Sequence, residues 1–177
     1  MARGATVITA STTNAVPWFS RLGAALVEAD LVPARAYLAG LELRPTPGLA
    51  LVHDWREAEQ VARDPGWDNS WWLGEEEKRL ALTREVAQRV GDTAMLEALS
   101  MAVEVCTEPT YAAALAACRD EALARVASGA ALMAVHGRAL ALLAGREDAH
   151  PFVQKYALFA RGRWPLGLRG PQTFLIF

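Results

Sequence analysis

The chain has 177 residues, 53% of them hydrophobic and 21% charged, with a formal net charge of −2. That length supports a real core, the apolar share rules out a disordered chain, and the near-neutral charge lacks the positive field that draws in nucleic acid. Two cysteines, Cys106 and Cys118, and no secretory pattern at the start point to free thiols in a reducing compartment, so a cytoplasmic location is expected. The basic residues are nearly all Arg, with Lys78 and Lys155 the exceptions, and Ala is abundant, as in a GC-rich coding genome.

In chain order, residues 5–10, ATVITA, form a β-branched run that reads as a short edge strand, followed by the polar run 11–14. Phe19, Leu22 and Leu26, flanked by Ala25 and Ala29, predict a helix over 18–29, and Pro33 predicts a second helix start running to about Leu43. Pro45-Thr46-Pro47-Gly48 ends it. Leu49 to Val52 is either a strand or a first helical turn, and 53–64 is a charged helix stopped by Pro65-Gly66. Glu75, Glu76 and Glu77 predict a first turn that complements the helix dipole. Leu80, Thr83, Ala87 and Val90 are its expected buried face, with Glu75–Arg79 and Glu85–Arg89 as supporting pairs. Gly91 and Asp92 mark a helix boundary, and the next helix buries Met95, Leu99, Val103 and Cys106.

Residues 111–145 are the expected centre of the fold, because fourteen alanines make this the strongest helix former in the chain. One helix of that length would run about 50 Å. A break at Ser128-Gly129, giving two helices folded back on each other with Leu132 in the core, is therefore expected. The uncharged run from Val126 to Val135 is shorter than the ~20 apolar residues of a membrane span, so no membrane is expected. Pro151 starts a helix carrying Phe152, Tyr156 and Phe159 on one face, residues 163–167 read as irregular, and Thr173 to Phe177 as a strand. Its partner would be ATVITA or the 49–52 run. The expected architecture is a mainly α, single-domain helical bundle spanning 1–177, with about six to eight helices and two or three short β-strands near the termini.

Three histidines, His53, His136 and His150, are available for metal chemistry, and His53 with Glu57 has i, i+4 spacing. His53-Asp54-Trp55 resembles the first element of the DinB/YfiT-type metal-binding bundles, although their later His-x-x-x-His pair is represented only by His136. The resemblance implies a divalent metal with His53 as its first ligand and His136 as a later one; with Glu57, offered by the i, i+4 spacing, these are the candidate ligands of a metal-dependent hydrolase or transferase. The His-Asp dipeptide of metal-dependent phosphohydrolases needs an upstream His that the chain lacks, and Glu147-x-x-His150 supplies one half of a di-iron motif that is used twice. No nucleophile elbow or phosphate loop is present, and an Ala-rich setting raises a thiol pKa, which makes both cysteines structural.

The most informative local feature is aromatic. Trp55, Trp67, Trp71 and Trp72 fall within eighteen residues, beside Asp68 and Glu75. Large aromatics often serve only to wedge a loop onto a core. They also build acidic, aromatic-walled pockets for cationic or ring-shaped ligands. The preferred reading is a small-molecule or protein-binding module using this segment. The metal enzyme is the alternative.

Overall fold

A computed structural model of the chain describes residues 16–63, 67–68, 70–147 and 150–177. The expected ATVITA strand, the polar run after it and the Pro65-Gly66 stop lie outside the described residues, as do the side chains of Trp67 and Asp68. The described residues form a mainly α bundle of six helices: α1 Glu28–Gly40, α2 Trp55–Arg63, α3 Ser70–Val90, α4 Asp92–Cys118, α5 Glu121–Leu143 and α6 Pro151–Ala160. Four short strands accompany them: β1 Gly48–Leu51, β2 Trp67–Asp68, β3 Pro165–Arg169 and β4 Thr173–Ile176.

The Ala-rich region breaks at a different place from the expected one. The helix passes straight through Ser128-Gly129, where the Ser128 hydroxyl donates to the Arg125 carbonyl. The chain turns instead at Arg119, which adopts a left-handed φ of 55°, and Asp120, whose carboxylate accepts from the Leu123 N–H at 2.9 Å. An isolated Gly costs about 1 kcal/mol in a helix, too little to end one, whereas an N-cap Asp supplies a positive start signal. The helix before the turn also runs through Pro109, around which Thr107 and Thr110 donate their hydroxyls to the carbonyls of Val103 and Cys106. The resulting α4–α5 hairpin packs more extensively than any other helix pair. Ala124, Ala127, Ala131 and Ala134 of α5 are at or near full burial in the main core, while Leu132 is only half-buried.

Running unbroken from Glu121 to Leu143, α5 does meet the length and composition requirements of a membrane span, contrary to the expectation from the 126–135 run. In this fold 50% of that apolar stretch is buried inside the protein, as the central helix of the bundle.

Elsewhere too the boundaries moved. Residues 18–24 are turns rather than helix, because the carbonyls of Arg21, Ala24 and Ala25 accept from the buried Arg163 guanidinium instead of from a helical ladder. The first helix therefore starts at Glu28, with Pro33 inside it and not at its head. Likewise α3 begins at Ser70, five residues before the three glutamates, so they do not sit in its first turn. Its buried stripe is Trp71, Glu75, Leu82 and Val86, not the face through Leu80, which is exposed. The two expected i, i+4 pairs give way to longer-range partners: Glu75 to Lys155, Glu85 to Arg146, and Arg89 to the Ala144 carbonyl.

The strands form one sheet in the order β1-β4-β3-β2. The 49–52 run is the parallel partner of β4, pairing Leu49 with Phe174 and Leu51 with Ile176. Residues 165–169, expected to be irregular, are β3 and pair antiparallel with β4 on its other edge. Alternation along β4 sends Phe174 and Ile176 to a small core with Tyr37, Leu38 and Leu158, and sends Leu175 to the main core of the bundle, which also takes up Phe177. The sheet thus separates two apolar clusters. Helices α1 and α6 pack on one another beside the smaller one.

Candidate functional site

The one carboxylate in the expected metal set, Glu57, is used with its neighbour Asp54 to start a helix. The Asp54 carboxylate accepts from the Glu57 N–H at 2.8 Å, and the Glu57 carboxylate reaches back to the His53 N–H at 2.8 Å. This reciprocal cap holds the first turn of α2. The His53 ring is exposed ahead of that turn. His136 is half-buried on α5, its Nδ1 is sealed from solvent without a hydrogen-bond partner among the described residues, and burial, then the Arg79 charge, lowers its pKa. No group of three or more His, Cys, Asp or Glu suited to a metal occurs among the described residues. His150 instead caps α6, its Nδ1 accepting from the Phe152 N–H at 3.3 Å. The cysteines are free and half-buried, and burial raises the Cys106 thiol pKa.

The tryptophans divide by helix geometry. Since α3 starts at Ser70, Trp71 and Trp72 are consecutive residues of its first turn and point about 100° apart. Trp71 turns inward, 7% exposed, with its ring edge-on to Phe174 at 6.0 Å. Trp72 remains 50% exposed above a narrow cleft that includes Glu76 and Arg79. Trp55, on α2, is half-buried and contacts Trp164 at 5.7 Å and Phe177 at 5.1 Å between ring centroids.

Trp55, Trp71 and Trp164 converge on one cavity of about 330 Å³. Leu123, Val126 and Ala130 of α5 close the opposite wall, and Ala58 and Val61 of α2 contribute further apolar surface. Lys155 and Glu59 are the charged residues among its lining, and Glu59 has interactions of its own. Two tryptophans of the aromatic segment therefore do meet at a concave surface, with Trp164 as the third wall.

Behind this cavity lies a buried polar cluster. Lys155 Nζ donates to both Glu75 oxygens, at 2.8 and 2.7 Å, and Tyr37 Oη donates to Glu75 Oε1 at 2.7 Å. The Lys155 ammonium also sits 5.3 Å from the centroid of Trp71 and 5.9 Å from that of Tyr37, within cation–π range. Burial, reinforced by the Glu75 carboxylate, holds the Tyr37 phenol protonated, with its pKa well above the ordinary value. Glu75 and Lys155 are 8% exposed each, a burial that charged residues reach only when paired. Glu75 is thus part of an ion pair, and Glu76 pairs with Arg79 in turn at 2.6 Å. Of the carboxylates expected to make the segment acidic, Glu75 is neutralised by a cation. The signal for this cluster was available: Lys155 lies at i+3 from Phe152 and four residues before Phe159, on the apolar face of α6, in a chain with two lysines.

No family model, curated protein or solved structure matches the chain.

Proposed function

We propose that the protein is a binding module for a small, flat, predominantly apolar molecule held between Trp55, Trp71 and Trp164. The observation that carries this reading is the cavity of about 330 Å³ walled by those three rings. Its volume falls in the range of small-molecule sites, roughly 300–1,000 Å³, which are mostly apolar with a few placed polar groups. The adjoining ion pair anchors Trp71 and Lys155 in position, so the wall is formed before a ligand arrives. Preformed walls reduce the ordering cost of binding. The metal-dependent hydrolase or transferase has less support, because Glu57 is taken up in a helix cap and His53 and His136 join no cluster of ligands among the described residues.

Ala130→Phe tests the proposal by placing a ring in the cavity. Equilibrium dialysis against naphthalene, with tryptophan fluorescence as a second readout, should show saturable binding to the unaltered protein and none to A130F. Equal binding by both proteins, or none by the unaltered one, rejects the site.

A further inference from the structure

We propose that the outer face of α4, away from the tryptophan cavity, is a docking surface for a cationic amphipathic helix of a partner protein. Of the 27 residues of α4, the bundle buries Met95, Leu99, Ala102, Thr110 and Ala114. On the side away from these, Ala94, Met101, Val105 and Ala112 are exposed, Met101 and Val105 at 58% and 62%. Their spacings of seven, four and seven residues place them on one face of the helix. They form a ridge about 27 Å long at 1.5 Å per residue. Apolar residues scattered singly over a surface need no explanation. A ridge that repeats at helical spacing has the anchor pattern by which one helix lies along another.

The charges beside the ridge select the partner. Glu97, Glu104 and Glu108 are exposed, and each stands three residues after a member of the ridge, so they form an edge along one side of it. Their carboxylates make no ion pair or hydrogen bond among the described residues. Glu104 and Glu108, four residues apart, repel one another. From Asp92 to Cys118 there is no Lys, Arg or His, so the helix carries four negative charges in a chain whose net charge is −2. The opposite edge of the ridge, Ala98, Pro109 and Ala116, is uncharged. A partner helix with an apolar stripe and Lys or Arg along one side of it would cover the ridge and pair with the glutamates, as flanking charges do between paired helices. A second copy of this chain would instead bring three more glutamates to the same contact, which charge opposes.

The probe is a fluorescein-labelled amphipathic peptide of Leu, Ala and Lys, roughly 18 residues long to match the ridge. Its counterpart has Glu in place of every Lys. Fluorescence anisotropy with the intact protein at low salt should show saturable binding of the Lys peptide, at least roughly tenfold tighter than the Glu peptide. Raising salt to about 0.5 M should weaken it several-fold. The variants E97Q/E104Q/E108Q and M101S/V105S should each weaken it roughly tenfold, the first through three exposed ion pairs and the second through lost apolar burial. Equal binding of the two peptides overturns the cationic assignment. Variants that bind like the unaltered protein, or no binding of the Lys peptide, reject the face. Dimerisation of the unaltered protein in sedimentation, abolished by M101S/V105S, makes a second copy the occupant and overturns the proposal. Should a variant not fold, hydrogen exchange on the unaltered protein decides: protection by the Lys peptide within 94–112 supports the face, and protection elsewhere overturns it.

Discussion

Arg163 and Asp30 face each other with both side chains fully buried, at 2.8 Å between Nη2 and Oδ2, across 133 positions of sequence. The same guanidinium donates to the carbonyls of Arg21, Ala24 and Ala25, and the same carboxylate accepts from Arg21, Arg161 and the Val27 N–H. Burial alone would raise the Asp30 pKa, but the bonds from Arg161, Val27 and Arg163 outweigh it and hold the group below its ordinary value.

Removing that carboxylate leaves a fully buried guanidinium with no counter-charge in contact among the described residues. Asp30→Asn should cost about 3–5 kcal/mol in urea unfolding. Adding Arg163→Met to it should not restore stability, because the three carbonyls would then lose their donor as well. Full recovery in the double variant would show that charge alone matters here.

The two glycines of α5 should respond in opposite directions. A Cβ at Gly129 meets nothing within 4 Å, so Gly129→Ala gains helix propensity and stabilises by about 0.5–1 kcal/mol. At Gly137 a Cβ would come 3.0 Å from the Phe152 ring, tighter than side chains usually tolerate. Gly137→Val is therefore expected to destabilise by about 1–3 kcal/mol, with partial rescue by Phe152→Leu. Thermal melts of the three variants check both signs.

His150 carries a pH dependence whose direction follows from its surroundings. Burial, then the charges of Arg146 and Lys78, lower its pKa from 6.5 to about 4, against a smaller opposing effect of Glu85. The unfolded chain takes up this proton near pH 6.5 and the folded one only near 4. Stability should hold above that window, fall as pH drops through it, and level off below. The depressed His136 pKa adds a loss of the same sign. His150→Asn keeps an acceptor for the Phe152 N–H and should flatten the decline between pH 7 and 5 in urea titrations. An unchanged slope would assign the dependence to other groups.

The architecture was legible where periodicity and capping agreed. Pro151 opened its helix, Met95 and Leu99 pointed inward, and the 49–52 run paired with the last strand. What went unread was set by tertiary partners. Nothing local in 18–27 says that its carbonyls will bond a guanidinium from residue 163. Helix α3 starts earlier than the sequence predicts: Glu75 reads as a dipole-favoured first turn, whereas its charge is met by Lys155, eighty positions away. That same offset concealed the division between an inward Trp71 and an outward Trp72. The aromatic cluster is legible in the sequence, but its third wall is not, since Trp164 reaches the cavity through the chain that follows α6.

The placement of β1 beside β4 has a consequence for the order in which this chain can fold during synthesis. The α4–α5 hairpin joins neighbours in sequence and can close as soon as both helices emerge. The apolar face of α1 is completed late: Ala34, Tyr37 and Leu38 share their cluster with Trp71 of α3 but wait for Leu158, Leu168 and Phe174. At translation rates of about 5–20 residues per second, that delay is on the order of ten seconds. Throughout it, a helix with an uncovered greasy stripe and a short unpaired strand travel together on the nascent chain. Chaperones that cover apolar segments would find their target near the beginning of this chain, and release would come only once the strand at 173–176 had arrived to fill the gap.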